Sequence, residues 1–387
     1  MKHKALFLTL RVFSATGGIE KGCRVFGKAL YELGLQYGRI VNVFSMYDKC
    51  EHGEGNKYFP RLVFTRFGGR KIRYMFRAII EGRRSNVVLM SHINLLVAGF
   101  LIKFLKPSVK LVLLAHGIEV WKPLPAWKKY MLRKCDLVLP VSHFTKEKMK
   151  SQYGLSEERF AVLNTCLDPF LELSLQKEKE EYLLERYGLK KEHRILLTVS
   201  RMADAEQYKG YDKVLQALPE LVKRYPGLRY LLVGKYDERE KRRLNAIIME
   251  LDIASVVIFA GQVMDAELAA HFNLADIFIM PSENEGFGLV FIEAMFYGIP
   301  VIAGNVDGSV DALCDGELGL LVNPNNKTEI INAVKKILDN RPGYLPDQQK
   351  LMEHFSYRGY KEKLNKMINT LLLEHPGYLG KGMGAGR

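Results

Sequence analysis

The 387-residue chain is poor in cysteine. There are five, Cys23, Cys50, Cys135, Cys166 and Cys314, an odd count with no C-x-x-C pair. That excludes a disulfide framework and a cysteine-type zinc site, and fits a reducing compartment. Long hydrophobic runs are also missing. The longest, INLLVAGFLIKFL at 93–105, is too short to span a bilayer and contains Lys103. The opening MKHKALFLTLRVFSATGG has a short apolar stretch that carries Arg11 and runs into Gly-Gly, so it reads as a first strand rather than a signal peptide. A cytoplasmic location is expected. No G-x-G-x-x-G follows the first strand of either half, which speaks against a nicotinamide dehydrogenase. H-E-x-x-H and G-x-S-x-G are absent, against zinc and serine hydrolases. D-x-D is absent too, and the DAE tripeptides at 204–206 and 265–267 are too generic for a metal site, so no metal is expected.

Acidic residues are scarce in one place only. Residues 1–150 hold 28 Lys and Arg against 9 Asp and Glu, a net +19, while the remainder holds 29 against 34, a net −5. The whole formal charge of +14 therefore comes from the first part, which implies an anionic partner there: nucleic acid, membrane surface or a phosphorylated substrate. No recognition motif of the usual nucleic-acid-binding folds appears, so nucleic acid is not expected. Composition is that of a folded protein, 48% hydrophobic and 26% charged, and the length is about twice what one core serves. The glycine-rich tail at 377–387 is expected to be loose.

Short apolar runs alternate with amphipathic ones. Strands are predicted at 5–10, 40–45, 86–91, 110–116 and 137–142, with helical patterns such as 21–37 and 93–105 between them. After a charged helix at 175–188 the pattern resumes. Strands follow at 194–200, 229–234, 256–261, 276–282 and 300–304, with helices at 211–224, 238–250, 265–273, 289–297 and 328–339. A last amphipathic helix covers roughly 357–373. This predicts an α/β protein of two doubly wound parallel sheets, 1–168 and 190–354, facing a central cleft, with a final helix that no strand follows. Ligands collect outside the carboxyl ends of such strands.

Four segments at those ends carry chemistry. SENEGFGLVFIEAM (282–295) places Glu285 and Glu293 on either side of a glycine-rich corner. Gly286 and Gly288 admit close backbone approach, and the helix that follows offers free amides at its positive end, a seat for a diphosphate. Carboxylates suit sugar and ribose hydroxyls; the alternative is a structural Glu293 and a solvated Glu285. In VSRMADAEQYKG (199–210), Arg201 and Lys209 are cations able to neutralise a diphosphate, or two surface charges. LLAHGIEVW (113–121) ends a strand at His116, and His92 is a weaker case of the same kind. SATGGIEKG (14–22) puts Gly17 and Gly18 in the loop after the first strand.

Taken in order, these motifs resemble those of the family-4 retaining glycosyltransferases of GT-B architecture, bacterial cell-surface polysaccharide and lipid-linked types included, over nearly the whole chain. ENEGFGLVFIEAMFYGIPVIA is similar to the family's two-glutamate motif, SRM…YKG to its Arg/Lys clamp, and GGIEKG and AHGIEVW to its glycine loop and histidine region. The resemblance implies that Glu285 holds donor-sugar hydroxyls and Glu293 the ribose. Gly286, Phe287, Gly288, Leu289 and Val290 would wrap sugar and diphosphate, largely through backbone. Arg201 and Lys209 would stabilise the leaving diphosphate, His116 would contact the donor sugar, and Gln262 and Val263 would lie near the base. Gly17 and Gly18 would complete the donor site, and a crossover helix at 355–376 would return to brace the first domain. The implied catalytic set is His116, Glu285, Arg201 and Lys209. The stretch from Arg201 to Lys209 is longer than the family's usual spacing, and Lys209 before Gly210 fits the second cation best.

No cofactor is implied beyond the substrate, a UDP- or GDP-linked sugar. The acceptor is expected to be a glycan or lipid-linked. The basic, partly aromatic segments 67–84 and 123–134 predict peripheral attachment of the N-domain to an anionic membrane, at the inner face of the cell membrane; the alternative is a solvated helix face packed on the sheet. Competing readings are a sugar-nucleotide epimerase of GT-B-like architecture and a two-domain ligand-binding protein.

Overall fold

The computed structural model describes residues 3–53, 56–172 and 179–373. The chain divides into two compact units: the described residues of Met1–Pro169 with those of Tyr357–Arg387, and Phe170–Ser356. Residues 175–178 of the charged segment and the tail at 377–387 lie outside the described residues.

The first unit carries β1 (Lys4–Thr9), β2 (Ile40–Ser45), β3 (Phe64–Arg66), β4 (Val87–Met90), β5 (Lys110–Ala115) and β6 (Leu137–Pro140). They form one parallel sheet in the order β3-β2-β1-β4-β5-β6. The second unit carries β7 (Arg194–Val199), β8 (Leu228–Val233), β9 (Val257–Gly261), β10 (Ile277–Met280), β11 (Val301–Gly304) and β12 (Leu320–Val322). Its sheet is also parallel, in the order β12-β11-β10-β7-β8-β9. Counted within each unit, the two orders are the same doubly wound arrangement. The strand order reverses between β1 and β4 in one and between β7 and β10 in the other.

The central strands are buried on both faces, which is why they read as unbroken apolar runs. Two strands escaped the sequence reading. β3 and β12 are three residues long and lie at sheet edges, with too few positions to show any period. The helix Gly18–Gln36 starts three residues earlier than its periodicity indicates, and the segment 93–105 opens as a 3-10 turn before its helix Leu96–Leu105.

The helix Tyr357–Leu373 belongs to the first unit. It lays Tyr360, Leu364 and Ile368 against the core face lined by Phe26, Leu30 and Leu33 of helix Gly18–Gln36. Polar ties flank this seam: Lys361 to Glu32 at 2.8 Å, Arg39 to Asn369 Oδ1 at 2.6 Å, and Asn365 to the Tyr37 hydroxyl at 2.9 Å. Each fully buried aliphatic side chain there contributes on the order of 1.5–3 kcal/mol.

Candidate functional site

At the β7/β10 switch point of the second unit, two segments meet. The chain leaves β7 through Ser200 and Arg201 into a 3-10 segment, Asp204–Lys209. It leaves β10 through Pro281 and Ser282 into the corner 283–288 and the helix Leu289–Phe296. Lys209 Nζ and Glu285 Oε2 form an ion pair with both side chains largely buried. Burial alone would pull the Lys209 ammonium down; the Glu285 carboxylate outweighs it and leaves the pKa raised. The two segments are also joined through the backbone, by Glu283 N–H to the Tyr208 carbonyl at 2.9 Å. Lys213 pairs with Glu283 at 2.6 Å on the rim.

Gly288 has φ +87°, and a Cβ there would meet the Phe291 ring at 2.4 Å, so both conformation and space demand glycine. It begins a helix with no side-chain cap, so the amides that follow are left as donors at the positive end of the dipole. Gly286 and Phe287 are buried, Leu289 and Val290 half-buried. Phe287 packs its ring on Phe355 at 5.6 Å, so what it offers at the corner is backbone. Glu293 is buried within the helix at 7% exposure, and burial, with this carboxylate second, pushes the Tyr297 hydroxyl up to about 12. Arg201 is 67% exposed and pairs with Glu206, so Arg201 and Lys209 enter this structure with different carboxylates. Gln262 and Val263 follow β9, Gln262 exposed and Val263 half-buried.

The residue that sequence reasoning missed is Asp307. NVDGS after a strand reads as a turn, and nothing in that signal marks a buried carboxylate. Asp307 Oδ2 accepts from Ser282 Oγ at 2.8 Å and from the Glu285 amide at 2.7 Å, and Oδ1 accepts from the Ser309 amide at 2.9 Å. Burial pushes its carboxyl up to about 6 in spite of these bonds.

The β1/β4 switch point of the first unit is built otherwise. Asp48, fully buried, accepts from the amides of Val12 at 2.7 Å and Ser14 at 2.6 Å and from Ser45 Oγ at 2.5 Å. Arg24 donates to the Val12 carbonyl at 2.9 Å and the Ala15 carbonyl at 2.8 Å. These bonds shape the loop that delivers Gly17, the cap residue, and Gly18, the first residue of its helix; both are exposed. A Cβ at Gly22, one turn on, would lie 3.9 Å from His116 Cε1, so this helix start and the end of β5 share one place. His116 Nε2–H donates to the Ser91 carbonyl at 3.1 Å. Burial pulls its imidazole down to about 4, against that bond and the charge of Glu20. His116 is therefore neutral at physiological pH. His92 is lowered by burial, and Glu119, which accepts the His116 amide at 2.5 Å, is raised by burial. Among the described residues, no three His, Cys, Asp or Glu side chains are grouped to hold a metal ion.

Residues 16–169 match the family model described as Glycosyltransferase Family 4, and residues 179–362 match Glycosyl transferases group 1. A GDP-mannose-dependent alpha-(1-6)-phosphatidylinositol monomannoside mannosyltransferase of Mycolicibacterium smegmatis is 31% identical over 243 residues, 59% of this chain and 61% of that relative. The chain thus spans about three fifths of that curated relative's length. An uncharacterized 41.2 kDa protein in the cps region of Klebsiella pneumoniae is 25% identical over 85% of this chain and 91% of its own. Among solved structures, Anabaena HepE in complex with UDP and glucose superposes with a TM-score of 0.73 at 19% identity, covering 95% of this chain and all of that one, which bears on the fold.

Proposed function

The chain belongs to the GT-B glycosyltransferases, and from that premise we propose that it moves a hexose from a nucleoside diphosphate sugar to a glycan or lipid-linked acceptor, retaining anomeric configuration and needing no metal ion. The observation that carries this reading is the buried Lys209–Glu285 pair beside the uncapped start of helix Leu289–Phe296. A diphosphate competes for the ammonium and takes the helix amides as donors. Its arrival releases Glu285 to accept sugar hydroxyls. Arg201, exposed and on a long side chain, can swing from Glu206 to the same phosphates. As the bond to the diphosphate breaks, fixed cations and amides oppose the charge that develops, which is the work a metal does elsewhere. Glu293 serves the ribose and Gln262 and Val263 the base. The neutral imidazole of His116 is a hydrogen-bond partner for a sugar hydroxyl and not a counter-ion. No side chain is assigned as a nucleophile; attack on the face of departure is the route to retention.

Three helices of the first unit support an anionic membrane partner. Lys71–Arg83, Leu96–Leu105 and Ala126–Leu132 pack side by side. The first turns Tyr74, Ala78 and Gly82 inward yet leaves Ile72 88% and Phe76 65% exposed, among exposed Arg70, Lys71, Arg73 and Arg77. Phe104, Trp127 and Tyr130 are exposed on the other two. Cations and exposed aromatics together suit a lipid headgroup layer, which supports this reading over a merely solvated face. Among the described residues, no helix is long and apolar enough to cross a membrane.

The test is calorimetry and transfer with a panel of UDP- and GDP-linked sugars, with and without anionic lipid. Donor binding that ignores Lys209→Ala would contradict the site. Release of an altered, free sugar nucleotide would favour an epimerase.

A further inference from the structure

Beyond β11 the chain runs through Asn305, Val306, Asp307 and Gly308 into the short helix Ser309–Ala312. This segment lies flush on the corner that carries Glu285. Gly308 N–H donates to the Glu285 carbonyl at 2.9 Å, and a Cβ on Gly308 would come within 2.1 Å of the Gly286 carbonyl oxygen. Asp307, 1% exposed, takes the Glu285 amide from the other side. Glu285 is therefore gripped through both its own N–H and its own C=O by two consecutive residues. The grip does not involve the Glu285 side chain, which is engaged with Lys209.

A buried carboxylate is a costly way to make a turn. Here each donor that reaches it is neutral: the Ser282 hydroxyl, the Glu285 amide, and the Ser309 amide and hydroxyl. An ionised carboxylate only accepts, so it satisfies them all at once. An amide side chain would turn a donor toward one of them. The charge is thus fitted to the donors that fix the corner, and what it fixes is the backbone of Glu285.

We infer that Asp307 is a positioning residue for the donor sugar: it holds Glu285 in place when a diphosphate has drawn Lys209 away. The inference rests on the reading above, in which Glu285 meets sugar hydroxyls. Without Asp307 the Glu285 amide would lose its partner, leaving only the carbonyl side of the grip, at the step where the geometry of the corner matters. Displacements of about 1 Å can cost on the order of 10²-fold in rate.

The experiment uses the full chain as Asp307→Ala, Asp307→Asn, Glu285→Gln and the Asp307→Ala/Glu285→Gln double variant. UDP and GDP binding is read by calorimetry, transfer with UDP-glucose and GDP-mannose, and backbone hydrogen exchange over 283–288. Asp307→Ala is expected to speed exchange at the Glu285 amide and to lower kcat about 10- to 10²-fold, with nucleoside diphosphate affinity within about 2-fold of wild type. In the Glu285→Gln background it should cost less than about 2-fold more, since both changes act at one point. Asp307→Asn, which keeps an oxygen for the Glu285 amide, should fall between wild type and Ala, and serves if the Ala variant does not fold. Losses that multiply in the double variant, or unchanged exchange at Glu285, overturn the inference. So does full transfer by Asp307→Ala beside an inactive Glu285→Gln. Full transfer by Glu285→Gln overturns the underlying reading instead.

Discussion

The two units share a strand order and differ in what they put at the point where it reverses. In the second, charges are kept: Lys209 stays cationic against Glu285, and Arg201 against Glu206. In the first, charge is suppressed: burial holds His116 and His92 toward the neutral form and raises Glu119. On the proposed reading the same topological position offers ions to a diphosphate in one unit, while in the other the charges of Asp48 and Arg24 are spent on shaping the loop and the groups around His116 are held toward the uncharged form. On their outer surfaces the contrast reverses, because the basic excess lies in the first 150 residues.

The surface half of this contrast is the easiest to break. Replacing Arg70, Lys71, Arg73, Arg83 and Arg84 with Gln should weaken binding to anionic vesicles by about 10³- to 10⁴-fold, at roughly 1 kcal/mol per cation near the surface. Nucleoside diphosphate binding should persist, since its candidate site lies in the other unit. Salt should weaken the wild-type protein in the same way, as surface charges are screened beyond about 8 Å at physiological ionic strength. Co-sedimentation of mutant and wild type alike would remove the membrane from the account.

Next in size is Glu285→Gln. It should lower transfer at least about 10²-fold in a protein that still folds, since on the proposed reading the lost charge is one that a preorganised site uses in the transition state. Near-normal turnover would sink the role given to Glu285.

Acid should act with opposite sign on the two units. An unfolded imidazole takes its proton below about 6.5, and folded His116 only below about 4. Between these values the unfolded chain binds more protons, so the contribution of His116 to stability falls as pH drops. Asp307 has the opposite sign. Its folded carboxyl titrates near 6, above the ordinary 3.8, so the folded state binds more protons in that window and is favoured by acidification. From pH 7 to 5 the stability of wild type relative to His116→Gln should fall, and relative to Asp307→Asn should rise, each by on the order of 1–2 kcal/mol. Denaturant melts of the three proteins at both pH values give the sign.

The smallest expected effect is none. If Arg201, Lys209 and helix amides do the neutralising, as proposed, transfer should survive EDTA unchanged. Activity that vanishes in EDTA and returns with Mg²⁺ or Mn²⁺ would contradict that.

How much of this could be read from sequence depends on how far each signal extends along the chain. β10 and the Glu285 corner were legible because a buried parallel strand, a glycine pair and a helix start lie in one continuous stretch, 277–296. Lys209 was legible for the same reason, sitting one residue before the helix Tyr211–Arg224. The pairing of Lys209 with Glu285, 76 residues away, was not. Asp307 was invisible because its role exists only once β10 and β11 lie side by side. β3 and β12 needed a neighbouring strand before three residues could count as a strand at all.

The helix Tyr357–Leu373 sets an order of events. Its seat in the first unit is made by residues 26–33, yet every residue of the second unit is synthesised before it. At 5–20 residues per second the gap between the end of residue 169 and the start of residue 357 lasts roughly 10–40 s. For that interval the nascent first unit presents an uncovered apolar seam along Phe26, Leu30 and Leu33, while the second unit can fold whole. The earlier-made unit is the later to be finished, and a ribosome that stalls anywhere before residue 357 leaves it as bait for chaperones and proteases.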